Sequence, residues 1–188
     1  MAIRSIHITG SPVLHTRASE VEVFDRGLAK LVRDMYQTMD EAPGVGLAAP
    51  QIGVGLRIFV YDYEDADGKP VRGEVINPIL EVGPISDEPA SIEHEVEGCL
   101  SVPGERFALK RADWVRVTGI DLKKRPVDIE ATGWLARIFQ HEFDHLNGTL
   151  YVDRLAEPYA SEATKVINER AWGKPGVTWM PGLDNLED

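Results

Sequence analysis

Residues 132–148 read TGWLARIFQHEFDHLNG, and what this run can form decides the fold. Trp134, Ile138, His141 and His145 fall at steps of four, three and four, so they share one face of a helix. Thr132 stands where an N-cap hydroxyl belongs and Gly148 where a C′ glycine belongs, which bounds the helix at about Gly133 to Asn147. Its last turns carry His141-Glu142-Phe143-Asp144-His145, an H-E-x-x-H pattern. Histidines four apart stand one above the other, so both imidazoles reach one ion, and Glu142 lies beside a water on that ion. The bland alternative is a solvated helix that carries these residues without using them. Asp144 reads equally as a carboxylate supporting the ligands or as ordinary polar face. Trp134 and Ile138 continue the ligand face in apolar form, which suits a pocket for an apolar substrate group or simple core packing.

Upstream of this helix the pattern is mostly extended. Leu56 to Asp62 reads as a strand, Asp67-Gly68 as a hairpin turn, and Glu74 to Pro78 as the return. Trp114 to Leu122 and Val127 to Ala131, joined by Lys-Lys-Arg-Pro, form a second antiparallel pair. Before them, Leu28, Leu31, Val32, Met35 and Met39 recur at helical steps, giving an amphipathic helix from Asp25 to Glu41 with Asp25 as N-cap and Pro43 as stop. Gly44 to Gly55 is too rich in Gly, Ala and Pro for regular structure and reads as an ordered loop. A final helix is expected over Glu157 to Ala171, with a frayed, acidic end from Gly173 onward. No β-α-β alternation appears. The fold class is therefore α+β, with antiparallel sheets packed around a central metal-binding helix. One domain is expected over 1–155, with 156–188 as a C-terminal helix and flexible acidic tail.

At 188 residues the chain suffices for one domain with a sizeable core. Its net charge of −11 argues against a protein that coats phosphate backbones, so no nucleic-acid partner is expected. One cysteine makes no internal disulfide. No stretch approaches the roughly 18 apolar residues of a membrane span, and the start, Met-Ala-Ile-Arg-Ser-Ile-His, lacks the apolar core of a signal peptide. A cytoplasmic protein without membrane association is expected.

Two histidines leave a catalytic ion one protein ligand short. No third histidine follows His145, so a later ligand would be Glu157, Glu162 or Glu169. Upstream, Glu97-Gly98-Cys99-Leu100-Ser101 offers the lone thiol in a polar loop instead of an apolar strand, which weakens the default reading of a buried core cysteine. Cys/His/His is a sound donor set with a position left for water. Gly44-Val-Gly46-Leu-Ala48-Ala49-Pro50-Gln51 superficially matches a dinucleotide fingerprint, but no strand precedes it and Pro50 follows. Its small residues instead let a substrate backbone lie alongside as an added strand, and Gln51 supplies a donor suited to an oxyanion. Asp62 to Gly68 is acidic without calcium-loop order.

Together the three segments resemble peptide deformylase, a family marked by a G-Φ-G-Φ-A-A-x-Q loop, an E-G-C-Φ-S loop and an H-E-Φ-D-H helix, here Gly44 to Gln51, Glu97 to Ser101 and His141 to His145. The resemblance spans Ile3 to Leu155. It implies a hydrolase that removes the N-formyl group from the N-terminal formylmethionine of newly made proteins and releases formate. It implies that Cys99, His141 and His145 hold the metal, with Fe(II) favoured and Zn, Ni or Co as substitutes. Glu142 would be the general acid/base, Gln51 and the Leu100 amide the oxyanion donors, and Glu97 a hydrogen-bonding support. Arg106 falls where many members have a substrate-binding arginine; Gly44, Val45, Gly46, Trp134 and Ile138 complete the candidate substrate site. The implied partner is the nascent formyl-Met polypeptide. Some members dock on the ribosome through a basic C-terminal helix. Here residues 158–188 set Lys165, Arg170 and Lys174 against Glu162, Glu169, Asp184, Glu187 and Asp188, a net −2 that does not support such docking. A zinc endopeptidase and a non-catalytic ribosome-associated binding protein are the competing readings.

Overall fold

The structure is a computed structural model and describes residues 2–64, 68–184 and 186. The helix that carries His141 and His145 is α2, Gly133–Leu146. Thr132 occupies its N-cap position, yet its side chain makes no capping bond. The expected hydroxyl cap is replaced by Gly133, whose φ of +56 turns the chain directly into the helix. At the far end Gly148 is also left-handed, and a β-carbon there would lie 2.8 Å from the backbone of Thr16. The Leu146 carbonyl accepts from the Ala18 amide and from Arg57 Nη1, each at 3.0 Å, so a last-turn carbonyl is satisfied although the helix end is buried.

Among the described residues nine strands pair antiparallel in three sheets: β1 (Ile6–His7), β2 (Gly46–Ala48), β3 (Ile58–Glu64), β4 (Pro70–Val82), β5 (Val96–Cys99), β6 (Val102–Ala108), β7 (Trp114–Ile120), β8 (Pro126–Thr132) and β9 (Thr178–Trp179). The large sheet has five strands in the order β2-β3-β4-β7-β8. The β7–β8 hairpin closes as its sequence implies, because the Asp121 carboxylate accepts from the Lys123 and Arg125 amides and so dictates the turn. Strand β4 runs well beyond the expected Glu74 to Pro78. Asn77, at φ 52, lies at an irregularity in the pairing with β7, which lets the strand continue past Pro78. In the expected Asp67-Gly68 turn, Gly68 is left-handed at φ +75 and Asp67 lies outside the described residues.

One flank of α2 is pressed on this sheet: Ala136, Phe139 and Leu146 are fully buried against Phe59, Tyr61, Val75, Val115 and Val117. Phe139 meets Tyr61 edge-on, with centroids 5.0 Å apart. Burying a side chain the size of Phe139 or Leu146 stabilises the fold by about 2 kcal/mol. A second core forms around α1 (Arg26–Glu41), where Asp25 accepts from the Leu28 amide as predicted and Leu28, Val32, Met35 and Met39 pack against Ile6, Ile8, Leu14 and Ile58. The third helix, α3 (Tyr159–Glu169), is shorter than expected and contributes Ala163 to this core. His141 and His145 are not part of the apolar flank of α2: Cys99, a member of the second core, lies 3.3 Å from His145 Nε2.

Three segments differ from the sequence reading. Gly44 to Gly55 is not an irregular loop: Gly46, Leu47 and Ala48 pair with Tyr61, Val60 and Phe59, and a 3-10 turn follows at Ala49–Ile52. Its small residues fit an edge strand, which propensity alone does not announce. The hairpin β5–β6 carries no strand signature in its sequence, because Gly98, Pro103 and Gly104 punctuate it. The chain end is not frayed at Val177 to Trp179: β9 pairs with β1, and Trp172 and Trp179 are buried in the α1 core. Among the described residues no helix is long and apolar enough to cross a membrane.

Candidate metal centre

Helix α2 and the tip of the β5–β6 hairpin bring three donors together. Cys99 Sγ stands 3.3 Å from His145 Nε2, which stands 3.2 Å from His141 Nε2. One donor atom from each residue lies within 4.8 Å of the other two, and this is the one such His/Cys/Asp/Glu group found among the described residues. A tetrahedral ion with metal–nitrogen and metal–sulfur bonds near 2.05 and 2.3 Å would separate its donors by about 3.3 to 3.6 Å. The observed spacings are close to that, and a soft thiolate with two imidazoles is a donor set for a first-row divalent ion. The residues fit a metal. None of Glu157, Glu162 or Glu169 joins the cluster; Glu157 accepts from Ser161 and Glu169 pairs with Lys165.

The donors are oriented from behind. Glu97 Oε2 lies 3.1 Å from His141 Nδ1, which directs the Nε2 lone pair at the cluster. Glu97 is itself gripped by Arg111, through Nε at 2.8 Å and Nη2 at 3.0 Å, and by Arg137 Nη1 at 2.7 Å. Arg111 also bonds Asp144 at 2.6 Å, and Arg154 holds the same carboxylate through two bonds of 2.6 Å. Asp144 is thus neither a ligand nor a solvated residue: it anchors the buried arginine that holds Glu97. Burial pushes the Glu97 carboxyl upward, but His141 and Arg111 outweigh it and leave it well below the carboxylate range. Burial would also lower His141, yet Cys99 and Glu97 raise it well above the ordinary value. Burial and the neighbouring His141 hold His145 well below its ordinary value.

Glu142 is different in kind. It is 4% exposed and its Oε2 has no hydrogen-bond partner among the described residues. Burial raises its carboxyl to about 7, with His141 opposing and Glu97 adding. A buried carboxylate oxygen without a partner is costly, and a carboxyl poised near neutrality is suited to moving a proton. Gln51 is also buried. Its Oε1 accepts from the Ala48 amide at 2.8 Å, and Nε2 is aimed at Ser101 Oγ (3.3 Å) and Cys99 Sγ (3.7 Å), which fixes a donor beside the cluster.

A cavity of about 200 Å³ opens onto these groups, lined by Gly44, Val45, Gly46, Gln51, Cys99, Leu100, Arg106, Trp134, Ile138, His141 and Glu142. Every candidate substrate residue from the sequence reading borders it. Ile138 is 4% exposed and Trp134 39%, so the apolar end lies inside and the indole at the mouth. Gly46 of β2, an edge strand of the large sheet, lines the cavity, and so do Glu97, Gly98 and Cys99 of β5, which among the described residues pairs only with β6. Both offer backbone groups to an extended chain laid between them. Arg111 and Arg137 were missed by sequence reasoning. Arg137 was accessible in principle, since it lies four residues before His141 on the ligand face; nothing local marks Arg111.

Residues 3–160 match the family model described as Polypeptide deformylase. The peptide deformylase of Mycolicibacterium paratuberculosis is 52% identical, covering 97% of this chain and 96% of its own. That of Mycolicibacterium vanbaalenii is 51% identical, with 98% and 97% covered. Among solved structures, a peptide deformylase from Legionella pneumophila superposes with a TM-score of 0.75 at 38% identity, over 90% of this chain and 96% of its own. The Ehrlichia chaffeensis enzyme in complex with actinonin gives 0.77 at 36% identity, over 90% and 98%.

Proposed function

This chain belongs to the polypeptide deformylase family and removes the N-formyl group from nascent peptides, and we propose that Cys99, His141 and His145 hold the single divalent ion its reaction needs, with Glu142 as the proton carrier. The convergence of one sulfur and two Nε2 atoms beside a buried carboxylate whose Oε2 has no partner among the described residues carries the reading. Fe(II) is the proposed native ion; Zn, Ni and Co satisfy the same donors. A bound ion supplies Lewis acidity, lowering the pKa of water and polarising the formyl oxygen.

The chain's own residues do the rest. Glu142 accepts the proton of the attacking water and returns it to the leaving amine, so that formate and a free amino terminus result. Gln51 Nε2 and the Leu100 N–H donate to the oxyanion of the tetrahedral intermediate. The substrate backbone lies between the edges of β2 and β5, and its methionine side chain enters the cavity bounded by Val45, Trp134 and Ile138. Arg106, which lies over Gly98 in the β5–β6 pair, binds the more distal backbone. A formyl carbon bears only hydrogen where an acetyl carbon bears a methyl group, and a tight site discriminates on that difference. The substrate is the nascent formyl-Met chain, met in the cytoplasm; the tail's net −2 does not favour electrostatic docking on ribosomal RNA.

Formate release from formyl-Met-Ala-Ser tests the reading. Turnover abolished by Glu142→Ala, with no release of acetate from acetyl-Met-Ala-Ser, is expected. Turnover that survives Glu142→Ala would refute the assignment of the proton carrier.

A further inference from the structure

The turn Leu100–Ser101 between β5 and β6 carries two of the groups assigned above, the Cys99 thiolate at its entrance and the Leu100 N–H. It is gripped from outside the site by both ends of the chain. Trp179 Nε1 donates to the Leu100 carbonyl at 2.8 Å, and the Thr9 amide donates to the Ser101 carbonyl at 2.9 Å. Trp179 is 3% exposed, Leu100 7% and Ser101 0%, so these bonds are shielded from water. The two donors are tied to each other: Trp179 pairs with Ile6 and Thr178 with His7, and the Ile8 amide donates to Val177 at 3.1 Å. Gly10 passes so close to the backbone of Gly173 and Lys174 that no β-carbon fits between them. The family match ends at residue 160, so Trp179 lies outside the segment that the family model covers.

We propose that Trp179 is a positioning residue for deformylation, its indole N–H fixing the Leu100–Ser101 turn and with it the direction of the Leu100 N–H. The proposal rests on the roles given above to Cys99 and Leu100. The Leu100–Ser101 peptide is then held at both its ends, its carbonyl by Trp179 and its N–H by Cys99 Sγ at 3.4 Å, and the adjoining Cys99–Leu100 peptide would be restrained through Cys99 once that side chain held a metal. A backbone donor contributes fully only at hydrogen-bond distance from the place where the oxyanion forms, so a turn free to rock forfeits part of its effect. The C-terminal segment is then a working part of the site.

Trp179→Phe keeps the buried ring and removes the donor. Assayed on formyl-Met-Ala-Ser well below its melting temperature, it is expected to lose about tenfold in kcat with KM within about twofold, while keeping its full metal content, since the lost interaction acts in the transition state. Wild-type kcat in folded, metal-loaded Trp179→Phe overturns the proposal; so does a loss of kcat that only tracks a loss of metal. If Trp179→Phe does not fold, the wild-type indole N–H resonance of Trp179 decides: it is expected to shift when actinonin is added, and an unmoved resonance overturns the proposal. Cys99→Ser separates the two levels. Retained metal and turnover in Cys99→Ser refute the site itself, whereas their loss beside an unaltered Trp179→Phe refutes only the positioning role.

Discussion

Gly46 leaves its β-carbon position to the carboxylate of Glu142: any side chain at residue 46 would collide with Glu142 Oε1. The first glycine-rich motif and helix α2 are therefore two halves of one constraint. Gly46→Ala is expected to swing the Glu142 carboxylate off the reacting position and lower kcat at least about 100-fold, the cost of misplacing a catalytic group by about 1 Å. Metal content should be unchanged, because no ligand is touched. Formate release and metal analysis on the same preparation check both halves.

Glu142→Gln separates function from stability. Turnover should fall by about 10² to 10⁴, the usual contribution of a general acid/base. In the metal-free protein the folded-state value near 7 lies above the unfolded 4.5. The stability contributed by the protonated carboxyl is present below 4.5 and is lost as pH rises through 7. Denaturant midpoints should accordingly shift in favour of Glu142→Gln as pH is raised across that window, and a gap that stays constant would contradict the burial argument.

Removing the hydrogen bond behind His141 should weaken the centre without changing its ligands. Glu97→Gln neutralises the carboxylate that accepts from His141 Nδ1 and pairs with Arg111 and Arg137. Metal affinity is expected to drop about 10- to 100-fold, as for other supporting carboxylates. Competition with a chelator of known affinity measures it.

Acid sensitivity should reside partly in α1. Asp34 has a fully buried side chain and bonds Arg4, Lys30 and the Ala2 amide. Burial alone would raise its pKa, but Lys30 and Arg4 bring it down from 3.8 to about 2. Its stabilisation is complete above 3.8 and is lost as pH falls through 2. The stability gap between wild type and Asp34→Asn should therefore be flat near pH 5 and narrow by about 1–2 kcal/mol toward pH 2, allowing for the exposure of both cations.

Much of this was legible in the residues, and the reasons differ by element. Helices α1 and α2 announce themselves because burial on one face imposes a 3.6-residue period, and the candidate ligands His141 and His145 because two imidazoles that share an ion from one helix need that spacing. Cys99 was narrowed to a choice between it and three glutamates, and the resemblance to a known family tipped that choice. Strand β2 was illegible because Gly46-Leu47-Ala48 carries no β-branched residue; its conformation comes from pairing with β3 and from the close approach of Glu142. Arg111 was illegible for another reason. Its partners, Glu97 and Asp144, are 14 and 33 positions away in sequence, and nothing local distinguishes it from a surface arginine. Trp179 likewise declares itself only through a carbonyl that lies 79 positions upstream.

The proposed metal site depends on Cys99 as its third ligand. The most direct test is the metal content per chain of Cys99→Ala purified anaerobically beside the wild type. One equivalent of divalent ion is expected in the wild type and close to none in Cys99→Ala. A full equivalent in Cys99→Ala would contradict the account and return the third ligand to another residue.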